Sequence, residues 1–252
     1  MCGCPIEVHA GHRPRTYCSG ACRSVASRRR TKGHKQRDLI RLVEGDALEL
    51  LCGMASESID LVITDPPYEF ARGTTYFRTW FAMLPDAVWP EVCREFHRVL
   101  RDDRHAYIVC DRRAHPVLAS AAESAGFRIA ATLVWDKMSP GLGRGAYRAQ
   151  HELVLHLEKG HRSPNRRDLG DVLRFPRVVR GYPTEKPVGL WKTMIGQSTK
   201  VGEMVCDPFC GSGSVGVAAR ELGRRALLCD VDAETAAGRL RVGAVALEGA
   251  AA

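Results

Sequence analysis

Asp65-Pro66-Pro67-Tyr68 directly follows the apolar run Ile59-Asp60-Leu61-Val62-Ile63-Thr64, so an acid, two rigid prolines and an aromatic ring stand at the end of a predicted strand. Ligands in open α/β sheets bind at the carboxyl ends of the strands, which puts these residues at a functional edge. Their chemistry suits a planar amine. The amino group of a nucleobase is a poor nucleophile because its lone pair is delocalised into the ring. A carboxylate from Asp65 and the backbone carbonyl of Pro66, each accepting one amino hydrogen, would draw the nitrogen toward a tetrahedral form and free that lone pair. The prolines fix the backbone that aims the carbonyl, and Tyr68 offers a face on which an extruded base stacks. Asp-Pro also begins many ordinary turns, so the tetrapeptide does not settle the matter alone.

A second strand end carries Cys206-Asp207-Pro208-Phe209-Cys210-Gly211-Ser212-Gly213-Ser214. Its glycines permit a tight turn and close approach of backbone to a ligand at the start of a helix. Leu227-Leu228-Cys229-Asp230 closes the next apolar run with an acid. The spacing from Gly213 to Asp230 is near the ~20 residues expected between a glycine turn and an acid that binds ribose hydroxyls. A Gly-rich turn with no ligand is the plain alternative.

Charge and cysteine divide the chain of 252 residues. Residues 1–37 hold 9 Lys/Arg against the single acid Glu7, so the formal net charge of +8 comes from this leader. Cys2, Cys4, Cys18 and Cys22 lie in it as two thiolate pairs joined by a basic loop, and four thiolates make a tetrahedral structural zinc site. A segment this small has no other core to fold around. Tyr17-Cys18-Ser19 through Cys22-Arg23 resembles the second knuckle of small zinc-ribbon fingers, although the first pair is too closely spaced, and His9 or His12 could replace Cys2. A disordered basic tail is the other reading. The run Arg28–Lys32 adds sequence-independent affinity for a polyanion in either case. A second basic stretch, 139–182, contains Arg144, Arg148, Arg162, Arg166, Arg167, Arg174, Arg177 and Arg180. Arginine suits both phosphate clamps and guanine contacts; a solvated loop is the plain reading.

An apolar fraction of 45% excludes a disordered chain. No apolar run approaches the roughly 18 residues of a membrane span, and no charged-then-apolar signal opens the chain, so a soluble cytoplasmic protein is expected. The six remaining cysteines lie singly in apolar or Gly-rich stretches and read as reduced, mostly core residues, not a disulfide scaffold.

Seven strands are predicted, at Leu39–Val43, Ile59–Thr64, Ala106–Cys110, Ala130–Trp135, Leu153–Leu157, Met204–Cys206 and Ala226–Cys229. Helical stretches at Trp80–Leu100, His115–Ala125, Leu190–Ser198 and Val215–Leu222 alternate with several of them. The fold class is therefore α/β with a mainly parallel sheet. A long connection without a helix separates Trp135-Asp136 from His151–Leu157, which predicts an antiparallel pair at one sheet edge. Domains are placed at 1–37, the Cys-rich segment, and 38–252, the body, with 139–182 as an insertion.

Taken together, these motifs resemble the amino-group DNA methyltransferases, in the circularly permuted (beta-class) order where Asp-Pro-Pro-Tyr precedes the Phe-x-Gly-x-Gly turn. The resemblance runs from about Leu39 to Arg241. It includes Gly45-Asp46, Arg98-Val99-Leu100 and Pro183-Thr184-Glu185-Lys186-Pro187. It implies a Rossmann-like fold dependent on S-adenosylmethionine and a pocket for it lined by Asp46, Thr184, Lys186, Asp207, Phe209, Gly211, Gly213 and Asp230. Asp65, Pro66, Pro67 and Tyr68 would be catalytic. Tyr182 departs from the family's usual His, and Cys210 fills a variable position. Asp in the first place of the tetrapeptide is typical of adenine-N6 enzymes, whereas cytosine-N4 enzymes usually carry Ser. No Pro-Cys pair is present, so covalent attack on cytosine C5 is not expected. The expected activity is methylation of adenine N6 in duplex DNA, with 139–182 placed where the family recognises its target. The alternatives are cytosine N4, an RNA or protein amine, or a zinc-containing DNA-binding protein on a decayed scaffold. A homodimer is left open.

Overall fold

The computed structural model describes residues 39–67, 84–141, 147–179, 181–182 and 184–247. Within it, β2 (Ile59–Thr64) is buried along its whole length, the pattern of a central strand in a sheet covered on both faces. Alternate residues serve the two faces. Leu61 and Ile63 join a core cluster with Trp191, Ile195, Val215 and Leu240, while Val62 joins another with Phe96, Val99, Ile108 and Leu118.

The chain runs β1 (Ile40–Glu44), α1 (Ala47–Cys52), β2, α2 (Trp89–Val99), β3 (Leu100–Cys110), α3 (Ala114–Ser124) and β4 (Arg128–Asp136). It continues through β5 (His151–Lys159), β6 (Val172–Arg174), α4 (Val188–Ser198), β7 (Met204–Asp207), α5 (Ser214–Glu221), β8 (Arg225–Asp230), α6 (Glu234–Leu240) and β9 (Ala244–Ala246). The strands form one sheet in the order β6-β4-β5-β3-β2-β7-β8-β1-β9. From β3 through β9 every neighbouring pair is parallel. β5 runs antiparallel to both β3 and β4, and β6 lies parallel to β4 beyond it.

All seven predicted strands are present. The antiparallel pair is present too, but it is not at the edge: β6 covers β4, and β5 is enclosed between β4 and β3. The stretch 139–182 thus contributes two strands to the common sheet. The helix predicted from Trp80 begins at Trp89 among the described residues, with Pro90 in its first turn and Trp89, Val92, Cys93, Phe96 and Val99 buried on one face. Arg98 leaves that helix to donate to the carbonyls of Met54 and Leu51 at 2.8 and 2.7 Å, fixing the loop that leads into β2. Five of the six cysteines outside the leader are buried, and Cys52 is exposed. Among the described residues, no helix is long and apolar enough to cross a membrane.

The turn from β7 into α5 depends on glycine. Gly213 caps α5 in the left-handed region at φ 71°, and a Cβ there would lie 3.0 Å from Leu240 Cδ1 and 3.1 Å from Ala236 Cβ. Gly213→Ala should therefore lower stability by about 1–3 kcal/mol, measured as the urea unfolding midpoint. An unchanged midpoint would mean that the turn relaxes at no cost.

Candidate active site

Parallel pairing gathers the expected site residues without further devices. β2, β7, β8 and β1 lie side by side and point the same way, so Asp65, Asp207, Asp230 and Asp46 form a row along one sheet edge. Asp65 and Asp230 act unfavourably on the charge of Asp207 between them, and each of the four acids has different partners.

Asp207 is buried and accepts from the Thr64 hydroxyl at 2.7 Å and from the Phe209 N–H at 3.2 Å. Burial raises its pKa to about 7 against the pull of those two donors, and Asp230 and Asp65 push it further up. Asp230 accepts the Gly211 N–H on Oδ2 at 2.7 Å and the Asp232 N–H on Oδ1 at 3.1 Å. Burial raises its pKa too, with both N–H groups opposing. The Gly211 N–H therefore pins the Gly-rich turn to the end of β8, assisted by Cys210 N–H to the Cys229 carbonyl at 2.8 Å. Asp46 is exposed and caps α1, its Oδ1 accepting from Leu48 and Glu49 N–H at 2.8 and 3.0 Å.

Asp65 is bound to the Lys186 ammonium through Oδ2. Burial raises its pKa to about 6; Lys186 works against the rise and Glu152 adds to it. Lys186 is itself buried, 3.3 Å from the Thr184 carbonyl and 3.3 Å from Glu152 Oε2. Burial disfavours its charge, yet Asp65 and Glu152 together raise its pKa. Lys186 thus turns toward the Asp65 carboxylate; the family resemblance implies a place for it in the donor pocket. Thr184 is exposed and adopts a positive φ of 65°. Phe209 meets Trp89 edge-on with centroids 6.4 Å apart. Tyr182 places its ring beside Gly211, where a Cβ would come within 3.3 Å of it, and burial together with Asp230 raises its pKa to about 12.

Glu152, Lys137 and Trp135 were missed from sequence. The signal available was the reversed strand. Because β5 runs against its neighbours, its beginning meets their ends, and Glu152 pairs with Trp135 across the β4–β5 ladder. Pro66 is buried and Pro67 partly so. Tyr68, Pro183, Arg144, Arg180 and the leader with Cys2, Cys4, Cys18 and Cys22 lie outside the described residues. Among the described residues, no group of three or more His, Cys, Asp or Glu could hold a metal ion. Of the basic stretch, Arg166 is paired with Asp168 at 2.6 Å and Arg174 with Asp136 at 3.5 Å, while Arg148, Arg167 and Arg177 are exposed.

The family model N6_N4_Mtase, described as DNA methylase, matches residues 59–174 and 160–238. The chain belongs to this DNA methylase family. The YubD protein of Escherichia coli (strain K12) is 32% identical over 187 residues, covering 73% of this methylase and 82% of that protein. The DNA adenine methyltransferase YhdJ of the same organism is 27% identical over 232 residues, covering 77% and 79%. TTHA0409 of Thermus thermophilus, solved in complex with S-adenosyl-L-methionine, shares the fold. Its TM-score is 0.65 at 24% identity, over 84% of this methylase and 99% of that chain.

Burial of Asp207 makes methylase stability depend on pH. An acid whose pKa rises on folding stabilises the native state while protonated. Its contribution is full below about pH 4, the unfolded value, and is lost as pH rises through about 7. Asp207→Asn keeps an oxygen for Thr64 and Phe209 without the charge. Its stability relative to wild type should rise between pH 4 and 8 in urea titrations, and a constant difference would contradict the assignment.

Proposed function

We propose that this methylase transfers a methyl group from S-adenosylmethionine to adenine N6 in duplex DNA, as a beta-class enzyme. The observation that carries the reading is Asp65, held at the end of β2 beside Pro66 with Oδ2 on Lys186, while Oδ1, which accepts no hydrogen bond among the described residues, would take a substrate amine. The donor set at β8 suits the cofactor's ribose. Each Asp230 oxygen accepts one backbone N–H, and an ionised carboxylate offers about four acceptor sites, so capacity remains for a vicinal diol. A carboxyl penalised by burial gains from such donors. Asp230, Gly211 and Gly213 would hold the nucleoside, with Phe209, Asp207, Thr184 and Asp46 around it. When bound, the cofactor supplies a methyl group on a sulfonium.

The chain's own part is to present the amine. Asp65 Oδ1 accepts one amino hydrogen and the Pro66 carbonyl the other, which returns the lone pair to nitrogen. Tyr68 stacks the extruded base. Pro66 and Pro67 hold the carbonyl in place while the nitrogen changes geometry. Arg148, Arg167 and Arg177 would contact the DNA backbone or a base edge. Asp as the first residue of the tetrapeptide, and the name of the relative YhdJ, favour adenine over cytosine.

Asp65→Ala should abolish methyl transfer to unmethylated duplex DNA while keeping cofactor affinity within a few fold. Asp230→Ala should do the reverse to binding, weakening it by about 1.5–3 kcal/mol in calorimetry. Turnover by the Asp65 variant would remove the mechanism. Mass spectrometry of nucleosides from the product would show N6-methyladenine; N4-methylcytosine would transfer the same mechanism to the other base.

For the leader we propose one structural zinc held by Cys2, Cys4, Cys18 and Cys22, with His9 or His12 the replacement for Cys2 if the close first pair does not suit the metal. Purified protein should contain about one equivalent, lost on joint replacement of Cys18 and Cys22. Absence of metal after reducing, chelator-free purification would leave a basic tail.

A further inference from the structure

Glu152 enters the site from β5, which runs against both of its neighbours. Its carboxylate lies 3.2 Å from the Lys137 ammonium and 3.3 Å from that of Lys186, and Lys186 in turn holds Asp65. Four charges therefore alternate in sign, from Lys137 through Glu152 and Lys186 to Asp65. Trp135 lies beside both cations, each ammonium 5.9 Å from its ring centroid. Glu152 Oε2 is buried and accepts no hydrogen bond among the described residues, so its ion pair with Lys186 is what compensates it. An acid placed this way does more than satisfy the core, because an apolar residue would serve packing equally well.

We propose that Glu152 is a positioning residue for methyl transfer, setting through Lys186 the direction and charge of the Asp65 carboxylate that receives the amino hydrogen. The inference rests on the reading of Asp65 given above. Lys186 donates to Asp65 and to the Thr184 carbonyl and is ion-paired with Glu152. While Glu152 takes its share, the ammonium stays on Asp65 Oδ2 and leaves Oδ1 to the substrate. Without Glu152 the ammonium has one anion to serve and closes onto Asp65, making that carboxylate a weaker acceptor. The charged and titratable groups that face Asp65 are Lys186 ahead of α4, Glu152 on β5, Asp207 on β7 and Cys110 on β3.

The sign of the effect is testable because the chain of charges can be cut at either end. Glu152→Gln removes an anion near Asp65, so Asp65 ionises more readily. The acid limb of the kcat profile for methyl transfer to duplex DNA should move down by about one pH unit. The maximum should fall by about tenfold, while KM for S-adenosylmethionine stays within about twofold, and Glu152→Asp should recover part of the loss. Lys137→Met removes a cation and lets Glu152 draw Lys186 away, so the limb should move up. Opposite displacements would not follow from a merely structural role. Should Glu152→Gln fail to fold, the upward displacement in Lys137→Met still decides. Limbs that coincide with wild type, or that move in the same direction, overturn the proposal. Asp65→Ala in the same assay separates the two levels. If it turns over, the reading of Asp65 fails and this inference with it. If it is inactive while both charge variants titrate like wild type, the role of Glu152 alone fails.

Discussion

Lys186 is buried, and burial alone would drive its ammonium toward the neutral form. It remains charged because two carboxylates from distant parts of the chain close on it: Asp65 at the end of β2 and Glu152 at the start of β5. Such a cluster is costly to desolvate and adds little net stability over an apolar core of the same volume. What it contributes is uniqueness. β2 and β5 are separated in the sheet by β3, and the cation fixes the register of their functional ends relative to each other. Any displacement of one strand end would leave a buried charge without its partner, which is far more expensive than a lost apolar contact.

The row of acids along the sheet edge follows from parallel pairing, and its electrostatics follow from how each acid is solvated. Asp65 has a cation, Asp207 has a hydroxyl and one N–H in full burial, and Asp230 has two backbone N–H groups beside solvent. Three chemically identical side chains thereby meet different partners, while burial raises the pKa of all three. Asp65 and Asp207 are also coupled through the sheet, since Thr64 precedes Asp65 in the chain and donates its hydroxyl to Asp207.

The parts of this arrangement carried by contiguous residues were legible in the sequence. Asp65-Pro66-Pro67 and the Gly-rich turn each occupy one strand end, and apolar runs gave the seven longer strands. β6 and β9 have three residues each, too few for a period to show. α1 and α6 have six and seven, and their ends are set by Asp46 and by the left-handed Arg241, which periodicity does not reveal. Glu152 was illegible because its meaning comes from strand direction: the same residue at the start of a parallel strand would lie at the opposite edge. The long connection after Asp136 announced a reversed strand but not its enclosure by β3 and β4. The family resemblance implies Lys186 beside the cofactor; its pairing with Asp65 and Glu152 depends on strands brought together by the fold and was not legible.

Thr184-Glu185-Lys186-Pro187 makes sense once both of its charges are followed outward. Lys186 reaches Asp65 at the end of β2 and Glu152 at the start of β5. Glu185 meets Arg239 of α6 at 2.6 Å, and that guanidinium also reaches the Ser212 hydroxyl in the Gly-rich turn at 3.3 Å. One short segment therefore ties the end of β2 to the turn that closes on Asp230. Its backbone is held as firmly as its side chains: Glu185 N–H donates to the Tyr182 carbonyl at 3.1 Å, Thr184 turns through a positive φ, and Pro187 leads into α4. α4 is in turn clasped to α5 by the Trp191 indole on Ser214 at 2.8 Å. Methyl transfer needs donor and acceptor atoms within a few tenths of an ångström of their productive separation, and small misplacements cost large factors in rate. With two salt-bridged side chains on adjacent residues, the two halves of the site share a single reference point in the chain, and their separation is set over one peptide unit instead of across the whole sheet.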